Sequence, residues 1–134
     1  MNGSCLCGSL QFKLNEEIKV AYYCHCRDCQ ILSGSAFRVI GIVPASSINI
    51  STGNISEFKH QSESGFEMIR QNCDTCATPL FVKSARFPDI QMFMVSALEN
   101  PNIVSPSFEI WCSSKVSWSN ISNEIVGFSK GSED

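Results

Sequence analysis

A chain of 134 residues is long enough for one domain with a buried core, and 43% hydrophobic against 17% charged residues argues against wholesale disorder. The formal net charge is −3, with 10 Lys and Arg and no dense basic run, which disfavours nucleic-acid binding through phosphate neutralisation. No stretch approaches the ~18 apolar residues of a membrane span, and the start, MNGSCLCGSLQF, has neither a basic segment nor a long apolar one of the kind that directs export.

In chain order, the first signal is Cys5-Leu-Cys7, followed by SLQFKL (residues 9–14), whose alternation predicts a half-buried strand. Residues 19–23 predict a second strand that runs into Cys24-His-Cys26-Arg-Asp-Cys29. A short helix is expected over 28–33, stopped by Gly34, and a buried strand over 36–43, ended by Pro44. Residues 57–60 and 66–70 flank Ser62-Glu-Ser-Gly65 and predict a hairpin. After Cys73-Asp-Thr-Cys76, strands are expected over 79–83, 90–95 and 107–111. Residues 97–99 suggest a helical turn, 100–106 hold two prolines and suggest a surface loop, and the polar tail 129–134 is expected to fray. The chain 1–134 therefore predicts a single, mainly β domain of folded antiparallel sheets.

Seven of the eight cysteines fall in the three short clusters. Disulfides are disfavoured, because the export signal is missing and Cys5/Cys7 and Cys24/Cys26 are too close to pair with each other. Reduced thiols in a cytoplasmic chain are available to metal. Cys73-Asp-Thr-Cys76 is a knuckle that supplies two thiolates to one tetrahedral ion, and Cys5-Leu-Cys7 can supply the other two. Cys24, Cys26 and Cys29 form a compact claw that leaves one side of an ion open, where zinc lowers the pKa of what it holds. This partition suggests two zinc ions, one in a closed site that builds the fold and one with a vacant position that can do chemistry or capture a thiol. A rival partition joins Cys26 and Cys29 to Cys73 and Cys76, but leaves Cys5, Cys7 and Cys24 unassigned. Cys112, in EIWC, reads as a buried free thiol.

His25, on an extended segment, should point away from Cys24 and Cys26. A core or supporting imidazole is favoured over a proton shuttle at the open site. His60 reads as a solvated histidine at a strand end. The available cations are Arg27, Arg38, Lys59, Arg70, Lys83, Arg86 and Lys115, most of them expected to be solvated on strand faces. Phe37, Trp111 and Trp118 are expected to fill the core rather than to wall a pocket.

The blocks GSCLCGSLQF, YCHCRDCQILSGSAF, CDTCATPLF and EIWCSSKVSW, in this order, closely resemble the glutathione-dependent formaldehyde-activating (GFA) enzyme family over nearly the whole chain. The resemblance implies a metal-stapled β-tent fold, shared with methionine-R-sulfoxide reductase B. It implies a structural zinc on Cys5, Cys7, Cys73 and Cys76 and a catalytic zinc on Cys24, Cys26 and Cys29. The activity implied is carbon–sulfur lyase chemistry, the reversible addition of glutathione to formaldehyde giving S-(hydroxymethyl)glutathione. The implied partners are a glutathione-like thiol and a small aldehyde, with no nucleic acid and no membrane. One residue departs from the pattern: Ala77 follows the knuckle where family members have Gly, and a left-handed alanine there costs on the order of 1 kcal/mol. The rival class is a non-catalytic zinc module for protein binding or chaperone work, which fits if Cys112 or His25 closes the fourth position. A sulfoxide reductase would need Cys112 as nucleophile.

Overall fold

The computed structural model describes residues 1–121 and 123–131. Its strands are β1 (Asn2–Ser4), β2 (Gln11–Leu14), β3 (Val20–Cys24), β4 (Arg38–Pro44), β5 (Ile48–Thr52), β6 (Ile55–Gln61), β7 (Glu67–Cys73), β8 (Pro79–Ser84), β9 (Ile90–Met94), β10 (Phe108–Ile110) and β11 (Val126–Gly127), with one α-helix, α1 (Arg27–Ser33). Three strands form a small sheet in the order β1-β2-β5, and eight form a large one in the order β11-β10-β3-β4-β9-β8-β7-β6. The chain is therefore mainly β, and the strands expected from alternation all form. β1, β5 and β11 escape that reading. β1 and β11 are too short to alternate, and β5 is exposed at every position but its first.

The expectation of wholly antiparallel sheets is corrected at one edge. β3 and β9 are both antiparallel to β4, so they run the same way. Residues 95–107 then carry the chain back to the starting end, and β10 repeats that direction and pairs in parallel with β3. β11 in turn pairs in parallel with β10. The helical turn expected over 97–99 appears earlier, as a 3-10 turn over Val95–Ala97, and the loop that follows contains another over Pro101–Ile103. The expected fraying does not start at 129. The Trp111 and Ser113 amides donate to the carbonyls of Lys130 and Ser129 at 2.8 and 3.1 Å. The rest of that expectation, residues 132–134, lies outside the described residues.

The pleat of the large sheet divides the core in two. On one face Phe81 and Phe93, joined by Leu80 from the irregularity in β8, meet Leu10 and, from the small sheet, Phe12 and Leu14, with the Phe12 and Phe81 rings edge to face at 5.0 Å. Gly41 belongs to this packing, since a β-carbon there would run into the Phe93 ring. On the other face Tyr22, Ile40, Val82, Met92 and Met94 cluster with Cys24 and Cys29. Among the described residues no helix is long and apolar enough to cross a membrane.

Candidate metal centres

Cys5 and Cys7 lie in the turn between β1 and β2. The Cys5 amide bonds back to the Leu10 carbonyl at 3.0 Å and the Gly8 amide to the Cys5 carbonyl at 3.2 Å. This curl brings residues two apart onto one side, with the Cys5 and Cys7 sulfurs 3.5 Å apart. Cys73 ends β7, and the Ala77 amide closes the second knuckle on the Cys73 carbonyl at 2.9 Å. All four sulfurs lie within 4.8 Å of one another. A tetrahedral zinc with sulfur at about 2.3 Å has sulfur–sulfur edges of about 3.8 Å, so the donor set and its spacing fit zinc. Backbone amides already point at the sulfurs, Leu10 N–H at Cys5 (3.3 Å) and Thr75 N–H at Cys73 (3.4 Å). Thr78 ties the knuckles together: its hydroxyl lies 3.0 Å from the Cys76 sulfur and accepts from the Leu6 amide at 3.1 Å. That hydroxyl, followed by backbone amides, draws the Cys76 thiol down to about 5.

Ala77 adopts φ 63°, the left-handed conformation that glycine favours. Replacing it relieves roughly 1–2 kcal/mol of steric cost, against roughly 0.4–1 kcal/mol of added unfolded-state entropy. Ala77→Gly is therefore expected to raise stability by about 0.5–1 kcal/mol in urea unfolding of the zinc-loaded protein. A loss of stability would show that the alanine methyl contributes more than its backbone costs.

The second cluster forms where β3 ends. Cys24 is its last residue, Cys26 caps α1 by accepting from the Cys29 amide at 3.3 Å, and the first helical turn returns Cys29 to the other two. Gly34, at φ 63°, ends the helix and sends its amide to the Gln30 carbonyl. The three sulfurs lie within 4.8 Å of one another, and among the described residues no fourth His, Cys, Asp or Glu ligand atom joins them. The rival partition is thereby overturned, because Cys26 and Cys29 are grouped with Cys24 and not with Cys73 and Cys76. The crowding shows in their acidities. Hydrogen bonds from Cys24 and Cys29 pull the Cys26 thiol down to about 2, while sharing with Cys26 pushes the Cys24 thiol well above the ordinary thiol value. Cys112 stands outside both groups. It is half-buried, not buried as expected, because Trp111 at φ 58° turns the chain out of β10 into a short 3-10 turn.

His25 is wholly buried and does not face the sulfurs' centre. Its Nε2 meets Glu109 Oε1 at 2.7 Å, and the Lys115 ammonium donates to the same oxygen at 3.0 Å. Burial raises the Glu109 carboxyl, but the bonds to Lys115 and His25 prevail and hold it below its ordinary value. The Gln30 amide donates to the His25 carbonyl at 2.7 Å and to the Ser114 carbonyl at 2.9 Å, and the Phe37 ring stands edge-on to the imidazole at 5.6 Å. The residues from 108 to 115 thus brace the claw from behind.

The claw opens on a cavity of about 570 Å³, whose lining includes Cys24, Cys26, Cys29, Arg27, Arg70 and Trp111. Two of the cations expected to be solvated are buried instead, Arg38 at 7% and Arg70 at 6% exposure. Arg38 stands directly opposite Cys24 in the β3–β4 register, and Arg70 faces Val82 on the same side of the sheet. Neither has a carboxylate partner among the described residues. Arg70 Nε donates instead to His60 Nε2 at 3.0 Å, so His60 is half-buried and engaged, not simply solvated. Burial lowers the Arg38 guanidinium, and the negative sulfur of Cys29 partly restores it. Lys59, Lys83 and Arg86 are exposed. Trp118 is 74% exposed and fills no core.

Reading the sequence missed Glu109 and Gln30 as members of this site, and named Arg38 and Arg70 only among seven available cations without showing which converge. A signal for Arg70 was present: Phe66, Met68 and Arg70 alternate, which puts the cation on an apolar face.

A protein-family model described as "GFA: Glutathione-dependent formaldehyde-activating enzyme" matches residues 1–114. No curated protein matches the chain. Among solved structures, the crystal structure of a Rhodobacter sphaeroides protein from a structural-genomics programme is similar, with a TM-score of 0.62 and 19% identity, covering 79% of this chain and 97% of that chain. At that identity the likeness speaks to the fold alone.

Proposed function

The chain belongs to the glutathione-dependent formaldehyde-activating enzyme family, and from that premise we propose that it is a zinc-dependent carbon–sulfur lyase that joins a glutathione-like thiol reversibly to a small aldehyde such as formaldehyde. The observation that carries this reading is the contrast between four sulfurs that form a complete donor set and three that line a cavity with, among the described residues, no fourth donor beside them. In this reading Cys5, Cys7, Cys73 and Cys76 staple a β-tent around a structural zinc, and Cys24, Cys26 and Cys29 hold the catalytic one. When bound at the claw, zinc supplies a Lewis-acidic fourth position that favours the thiolate form of an incoming thiol.

The remaining roles belong to the chain. His25, fixed by Glu109 and Lys115, sets the backbone between Cys24 and Cys26, a supporting role of the kind that orients ligands. Three thiolates outweigh a divalent ion by one charge and a fourth outweighs it by two. Arg38 and Arg70 bring two buried positive charges to the same face and favour that fourth, anionic sulfur. In the forward direction the sulfur–carbon bond forms as the carbonyl π bond opens, and the proton lost by the thiol ends on the carbonyl oxygen; cleavage is the reverse. Eight unpaired thiols suit a reducing, cytoplasmic compartment.

The test is exchange NMR on glutathione and formaldehyde with protein carrying two zinc ions. Interconversion faster than the uncatalysed background is expected. Background rates at full zinc loading would remove this activity.

A further inference from the structure

The face of the large sheet next to the claw carries a continuous apolar strip, with Arg38 and Arg70 beside it and polar residues such as Glu63 and Ser84 elsewhere in the cavity lining. The register pairs Tyr22 with Ile40, Ile42 with Met92, and Met92 with Val82, and Met68 lies two residues along β7 from Arg70, the partner of Val82. All of these line the same cavity as the three sulfurs. At its mouth Phe66 and Phe87 are 40% and 37% exposed, and the Arg86 guanidinium sits 5.6 and 5.2 Å from their ring centroids. Two aromatic rings held half in solvent, continuous with an apolar floor, leave a surface that water covers at a cost.

Formaldehyde brings a single carbon, and glutathione a polar body with two carboxylates. Neither has apolar surface to lay against these side chains. We propose that the substrate handled at the claw is a thiol adduct with an apolar body of roughly six to ten carbons, a size suited to a cavity of this volume, lying along the sheet with its sulfur at Cys24, Cys26 and Cys29. This rests on the lyase reading and narrows its substrate class. The apolar body belongs either to the thiol or to the carbonyl half, since both meet at the same sulfur.

Two series test it on the two-zinc protein. In the first, straight-chain thiols from ethanethiol to octanethiol are titrated by calorimetry. In the second, straight-chain aldehydes of matching lengths are offered with glutathione, and kcat/KM for adduct formation is followed. A gain of about threefold to fourfold per methylene, accompanied in the binding series by an increasingly negative heat-capacity change, is expected in one series, and the series that rises identifies the half that carries the chain. Flat responses in both, with ethanethiol still binding, overturn the proposal and leave the lyase reading standing. Failure of every thiol to bind, glutathione included, with no adduct formed from any aldehyde, removes both. Phe66→Ser with Phe87→Ser, at half-exposed positions, and Ile42→Asn inside the cavity are expected to shrink the gain per methylene. An undiminished gain in all of these variants would put the chain elsewhere and also overturn it.

Discussion

Cys73→Ser is expected to leave a chain that fails to unfold cooperatively at 25 °C, even in excess zinc. Cys73 ends β7 with 1% exposure inside the larger core cluster, and its sulfur is grouped with those of two cysteines near the N-terminus. A structural zinc contributes roughly 10–16 kcal/mol of apparent binding energy, which is as large as the roughly 5–15 kcal/mol net stability of a whole domain. Serine cannot replace a thiolate donor at a closed tetrahedral site, so the variant loses most of that term. Circular dichroism should show no sharp melt, and metal analysis should find one zinc where two are expected in the unaltered chain. A chelator should reproduce the effect and added zinc reverse it. A melting temperature within a few degrees of the unaltered protein would show that the four sulfurs do not hold the sheets together.

Cys26→Ser is expected to do the opposite, sparing the fold and ending the chemistry. Cys26 is half-buried, and its sulfur caps α1 by accepting from the Cys29 amide. A serine hydroxyl is among the best helix caps, so stability should change by less than about 1 kcal/mol. Catalysis should fall by more than a hundredfold, since even outer partners of a metal ligand typically cost about 10–100-fold. The zinc count should again drop by one, this time with an unchanged melt. Activity within tenfold of the unaltered chain's would move the proposed reaction away from the three-sulfur cluster. The two variants together separate metal that holds the fold from metal that reacts.

Much of this was legible because both signals are local. Alternation over residues 9–14 or 36–43 reports a face that the strand itself determines, and a CxxC spacing confines two sulfurs whatever lies around them. The helix end at Gly34 was legible for the same reason, whereas the left-handed Ala77 was legible only through the family resemblance, whose members usually have Gly there. What stayed hidden depends on distant pairing. The parallel placement of β10 follows from where residues 95–107 carry the chain, and the Glu109–His25 contact joins residues far apart in sequence. Arg38 and Arg70 look like ordinary strand-face charges until the sheet order brings Cys24 opposite one and the cavity beside the other. β5 and β11 lack any buried face that a pattern could mark.

The two clusters also differ in when they can be completed during synthesis. Cys24, Cys26 and Cys29 leave the ribosome almost together, and a nascent chain can capture metal with them at once. Cys5 and Cys7 must wait for Cys73 and Cys76, and at about 5–20 residues per second that interval lasts several seconds. Through it the earliest thiols emerge as an incomplete pair, open to the wrong ion or to an oxidant, so the yield of correctly assembled protein should depend on how well the cell buffers zinc while translation proceeds.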